Sequence, residues 1–131
     1  MWKPVETEEY TRRHKRYQKN HPRELQAVLD NLNVYFQALV GGIKPLQIQH
    51  GFMHAEPQGV VAIDQKGGGK NLAQTRLYVY PDADTETLFL ITLGSKGSQQ
   101  DDNLAYCRSF VTMLRKEREE TQTNEESDSA S

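Results

Sequence analysis

Six apolar residues constrain the first half of this chain more than anything else in it. Leu25, Val28, Leu29, Leu32, Phe36 and Leu39 recur at three- and four-residue intervals. On a helix they form a single stripe about four turns long, and such a stripe must be covered. Gly41-Gly42 closes the helix and Pro45 keeps it from resuming. Upstream, Thr7 is a capping residue, and Glu8 and Glu9 suit the positive end of a helix dipole. Tyr10, His14 and Tyr17 then share one face. Asn20-His21-Pro22 interrupts this pattern, with Asn20 expected as the next cap and Pro22 tolerated in a first turn. Two helices with a short connection predict an antiparallel hairpin.

Past Pro45 the period changes. Gly59-Val60-Val61-Ala62-Ile63-Asp64 reads as a strand rich in β-branched residues. Thr75–Tyr80 reads as a second, with Leu77 and Val79 on one face and Arg76, Tyr78 and Tyr80 on the other. Pro81-Asp82-Ala83-Asp84 is turn chemistry. Thr87–Leu93 is almost continuously apolar, which predicts a central strand covered on both faces. Residues 46–56 leave one further strand open. After a polar loop from Gly94 to Asp102, Leu104, Cys107, Val111 and Leu114 space a final helix. The order predicts an α+β fold: an N-terminal helical hairpin packed on a small antiparallel sheet, with a C-terminal helix.

The chain has 131 residues, 36% of them hydrophobic, enough for one core. No run approaches the roughly 20 apolar residues of a membrane span. Met1-Trp2-Lys3-Pro4-Val5-Glu6 lacks the apolar stretch of a secretory leader. A cytoplasmic protein without membrane association is expected. Cys107, the single cysteine, falls on the apolar face of the last helix, which predicts a buried thiol. Charge is unevenly spread. Residues 1–116 hold fifteen Lys and Arg against twelve Asp and Glu, whereas residues 117–131 hold one against six. The expected organisation is a mildly basic domain over 1–116 and a solvated, disordered acidic tail over 117–131. Glu117, Glu119 and Glu120 are expected to extend the last helix by a turn.

Candidate sites are few. Arg12, Arg13, Lys15, Arg16, Lys19 and Arg23 occur between Thr11 and Arg23 with no acid among them. Either an anionic partner, most commonly a phosphate backbone, or a solvated helix face explains the cluster. Lys66-Gly67-Gly68-Gly69-Lys70 is no nucleotide-binding loop. Asp64 and Asn71 stand where that motif needs Gly and Ser or Thr. His50 and His54 are four apart, but Gly51 and Pro57 argue against the helix that would make them a metal pair. No metal or cofactor is expected. Antiparallel pairing would bring Arg76, on the outward face of its strand, close to Lys96, just past the end of the next. Tyr106 lies near the start of the last helix. A cationic site or mere rim charge fits these three.

The stretch Thr75-Arg76-Leu77-Tyr78-Val79-Tyr80 through Leu88-Phe89-Leu90-Ile91-Thr92-Leu93-Gly94-Ser95-Lys96 resembles the RelE/ParE superfamily, the toxin half of bacterial toxin–antitoxin pairs. It is similar to that family's tyrosine- and arginine-bearing strand, polar turn, apolar strand, glycine with basic residues, and tyrosine-bearing helix. The preceding hairpin and the Gly59–Ile63 strand occur in the matching order over residues 1–116. The resemblance implies a microbial RNase-like fold and, in the RelE-like branch, a metal-independent endoribonuclease. That enzyme cuts mRNA on the ribosome and is neutralised by a cognate antitoxin. It also implies that Arg76 binds the scissile phosphate, that Lys96 stabilises the transition state and that Tyr106 is the helical tyrosine. Arg12, Arg13, Lys15, Arg16, Lys19, Lys66 and Lys70 would bind RNA. Lys96 replaces a bidentate guanidinium with a point charge, and Asp101 and Asp102 lengthen the segment before Tyr106. These departures point to an alternative, a non-nucleolytic binder on the same scaffold: a gyrase inhibitor, an antitoxin-binding module or a nucleic-acid-binding module.

Overall fold

The computed structural model describes residues 1–66 and 73–130, with side chains through residue 121. In chain order the elements are β1 (Lys3–Glu6), α1 (Glu8–Asn20), α2 (Pro22–Val40), β2 (Met53–Ala55), β3 (Val61–Asp64), β4 (Thr75–Asp82), β5 (Thr87–Ser95) and α3 (Gln100–Ala130). Short 3-10 turns at Pro45–Gln47 and Pro57–Gly59 flank β2. The strands form one sheet in the order β1-β5-β4-β3-β2. The α+β class is as expected. The sheet, however, is mixed rather than antiparallel, because β1 pairs parallel with β5 from Lys3↔Thr87 to Glu6↔Leu90. β1 has four exposed residues and no alternation to read from sequence. The otherwise open edge of β5 recruits it, and Pro4 is tolerated because it lies in an edge strand.

The hairpin and α3 cover opposite faces of the sheet. On the hairpin side, Tyr10 of α1 and Leu25, Val28, Tyr35 and Leu39 of α2 pack on Ile63, Leu77, Val79, Leu88, Leu90 and Leu93. Leu29, Leu32 and Phe36 of the predicted stripe pack at its margin. On the other side, Cys107 and Val111 of α3 meet Val60, Ala62, Tyr78 and Ile91. Burial pushes the Cys107 thiol up to about 12, so it is an inert core group as expected. A bulge in β5 sets Tyr78 against Thr92 and Val79 against Leu90, which leaves Ile91 as the extra residue turned into the α3 core.

Several local expectations shift. Thr7 does cap α1, accepting the Tyr10 amide at 3.0 Å. Asn20 stays inside α1, and His21 takes the cap position of α2 without a side-chain bond. β4 runs on through Pro81 and Asp82, so the turn falls at Ala83–Glu86. Gly42 at φ 94° lies just past α2, where a side chain would be strained. α3 continues through Glu117–Thr121, and Arg118 forks onto Asp82 of β4. The expectation of a solvated tail beyond that turn concerns side chains outside the described residues. Among the described residues, no helix is long and apolar enough to cross a membrane.

Candidate functional site

Strand register gathers the charged groups at one end of the sheet, where β3 and β5 finish and β4 begins. Asp64 lies opposite Arg76, and Arg76 lies opposite Gly94. Lys96 follows two residues later, and its amide donates to the Gln74 carbonyl at 3.0 Å. His54 of β2 lies opposite Ala62, two residues before Asp64 and therefore on the same face. The end of β3 is pinned from the other side, where the Asn31 amide donates to the Asp64 and Gln65 carbonyls at 2.8 and 3.0 Å.

Asp64 is the centre. Arg76 donates from Nε to its Oδ1 at 2.6 Å and from a terminal nitrogen to Oδ2 at 3.3 Å. His54 Nε2 lies 2.7 Å from Oδ2, and Lys96 Nζ lies 3.4 Å from the same oxygen. Glu56 stands 4.0 Å from the remaining Arg76 nitrogen. Side-chain exposure divides the group: 1% for Asp64 and 7% for Arg76, against 44% for His54 and 43% for Lys96. Burial alone would raise the Asp64 pKa. Hydrogen bonds and charge from Arg76, with His54 and Lys96, outweigh it and hold the carboxyl below its ordinary value. Asp64 is therefore ionised and accepts only, so His54 Nε2 donates to it, and in the neutral imidazole Nδ1 is the nitrogen with the lone pair.

Arg76 and Lys96 thus converge as expected, but on a carboxylate. The face of β4 that carries Arg76 is not outward, because α3 covers it. Arg76 is buried with two of its three guanidinium nitrogens on Asp64, which differs from the arginine open to a scissile phosphate that the resemblance implies. Tyr106 is not brought to this cluster. It lines a hollow with Ser109, Phe110 and Met113 along α3, and among the described residues no hydrogen bond or ion pair joins it to Asp64, Arg76 or Lys96.

The basic segment also divides. Glu9, one turn before it, pairs with Arg12 at 2.8 Å and Arg13 at 2.6 Å. Arg13 is structural as well, donating to the Leu93 carbonyl and Asn103 Oδ1 at 2.9 and 2.8 Å. Gly94 makes room for this knot, since a Cβ there would stand 2.6 Å from Asn103 Nδ2 and 3.0 Å from Arg13. Lys15, Arg16, Lys19 and Arg23 are exposed and have no ion-pair partner among the described residues. Lys66 Nζ lies 3.4 Å from where a Cβ of Gly51 would stand. Lys70 lies outside the described residues.

Sequence reading missed Asp64 and His54 as a pair. The available signal was Asp64 itself. Strand alternation puts it with Ala62 on a covered face, and a buried carboxylate requires a cationic or hydrogen-bonding partner. No group of three His, Cys, Asp or Glu able to hold a metal occurs among the described residues. No family model, curated protein or solved structure matches the chain.

Proposed function

We propose that this chain is a metal-independent endoribonuclease acting on single-stranded mRNA, the RelE-like toxin activity its sequence resembles, with His54 at the centre of the chemistry. The observation that carries this reading is the half-exposed imidazole held by a buried carboxylate, with an accessible ammonium beside it. His54 Nδ1 accepts the proton of a ribose 2′-hydroxyl as its oxygen bonds to the adjacent phosphorus. The bond from phosphorus to the 5′-oxygen breaks, leaving a 2′,3′-cyclic phosphate and a 5′-hydroxyl. The departing oxygen takes a proton from water or from the Lys96 ammonium. Lys96 also opposes the charge that grows on the phosphorane. Asp64 fixes the imidazole tautomer and stabilises its protonated form, and Arg76 keeps Asp64 ionised. Lys15, Arg16, Lys19 and Arg23 supply accessible charge for the RNA backbone. A toxin of this kind acts on the ribosome and is held in check by a cognate antitoxin.

The burial of Arg76 against Asp64 favours a second reading, a binder on the same scaffold that cuts nothing. Induced expression with mapping of transcript ends separates the two. Under the nuclease reading the wild type arrests growth and yields new transcript ends. His54→Gln loses 10²–10⁴-fold of the cleavage rate, the usual worth of a general base, with its thermal midpoint kept. Intact transcripts from the wild type sink the nuclease reading. DNA supercoiling inhibited by the purified protein would then favour the gyrase-binding form of the alternative.

A further inference from the structure

We infer that His50 is a stacking platform for a nucleobase, at a subsite around the sheet edge from His54. This rests on the ribonuclease reading and names where its substrate is held. The His50 ring lies parallel to Phe52, with centroids 5.0 Å apart and planes 9° from coplanar. Phe52 is half-buried against the hairpin-side core, so the lower ring is fixed. His50 is exposed, so solvent reaches the ring that Phe52 backs on one face. His50 lines a hollow of about 410 Å³ together with Ile48, Gln49, Met53 and Val61. That volume falls within the roughly 300–1,000 Å³ of small-ligand sites.

Three observations connect the platform to the proposed chemistry. The Phe52 carbonyl accepts the Asp64 amide at 2.8 Å, so the platform is tied to the residue that orients His54. Lys66 Nζ lies beside Gly51, between the two rings in sequence, and offers a cation to a phosphate next to a stacked base. β2 is the last strand of the sheet and is three residues long, and His54 alternates with Met53 and Ala55, whose side chains line the hollow. A single strand can therefore pass around this edge, with its phosphate at His54 and Lys96 and a neighbouring base on His50. Unstacked bases of single-stranded RNA have the free π-face that such a platform needs, and duplex bases do not.

The test is a fluorescence titration with a fully 2′-O-methylated oligoribonucleotide, which cannot undergo the transesterification, carrying one 2-aminopurine. Wild type is expected to bind saturably and quench the probe. His50→Ala, a change at an exposed ring, is expected to bind about tenfold more weakly and lose the quench. His50→Phe is expected to restore both. Equal binding and equal quench in wild type and His50→Ala overturn the platform while leaving the RNA reading intact. No binding by the wild type overturns both.

Discussion

The two faces of the sheet solve different problems. The hairpin face is a nearly pure apolar core, closed by Leu25, Val28, Tyr35 and Leu39 over Ile63, Leu77 and Leu93. The α3 face has a smaller apolar patch and, at the end nearest the start of α3, the buried Asp64–Arg76 pair. Among the described residues, Tyr35 has the one buried side-chain polar atom without a hydrogen-bond partner on the hairpin face. Tyr78, Thr92 and Asn103 each have one on the α3 face. The comparison teaches that one face supplies cohesion and the other spends part of that cohesion to hold charge in a fixed geometry. A buried ion pair of this kind contributes little net stability, yet removing either member leaves the other charged and unsatisfied.

That contrast can be broken most sharply at Arg76. Arg76→Ala removes both guanidinium bonds from the buried Asp64 carboxylate, leaving it only the half-exposed His54 and Lys96, and is expected to cost up to about 3–5 kcal/mol, read by urea unfolding, with His54-dependent cleavage lost in the fraction that stays folded. A cost under 1 kcal/mol would mean that the carboxylate is far better hydrated than its burial indicates. Leu77→Ala on the opposite face is expected to cost about 2–5 kcal/mol through lost burial and a residual cavity. Below its unfolding transition this variant should cleave at the wild-type rate, since Leu77 faces away from Asp64. A proportionate loss of rate in folded Leu77→Ala would show that the two faces are not independent.

Acid sharpens the comparison at smaller amplitude. Asp64 has a lowered pKa in the folded chain, so its contribution to stability is fully present above the ordinary carboxylate value of 3.8 and is lost as pH falls through the folded value. Stability should decline on acidification below that point, and Leu77→Ala should decline in parallel with the wild type. Arg76→Ala should show a flatter acid limb, because His54 and Lys96 alone then oppose the effect of burial on the Asp64 carboxyl. The smallest effect is expected at Tyr78. Its hydroxyl is near enough to Arg76 to feel that charge, and burial pushes the phenol up to about 12. Tyr78→Phe should change stability by no more than about 1 kcal/mol. A loss above 2 kcal/mol would reveal a partner for it.

Much of this architecture was legible in the residues. The Leu25–Leu39 stripe, the Thr7 cap, the Gly41-Gly42 stop and the buried run Thr87–Leu93 all follow local rules. Each depends on spacing or on the chemistry of a single residue. Even the meeting of Arg76 and Lys96 followed from antiparallel pairing of adjacent strands. Tyr35 escaped notice because it lies one position off the stripe and is nonetheless fully buried. β1 escaped because an exposed edge strand has no pattern of its own. His54 was weighed only against His50, four residues away, whereas its partner Asp64 lies ten residues on and across a strand pair.

The sequence by itself determined the three helices, the strands β3, β4 and β5 and the run of cations from Arg12 to Arg23, because helical and extended periods are properties of neighbouring residues. Tertiary structure alone decided that α3 covers the Arg76 face, that Asp64 stands between the two expected site cations, and that Tyr106 points elsewhere. The reason is physical. Which charge is desolvated, and by what it is neutralised, depends on elements distant in the chain arriving at the same few cubic ångströms.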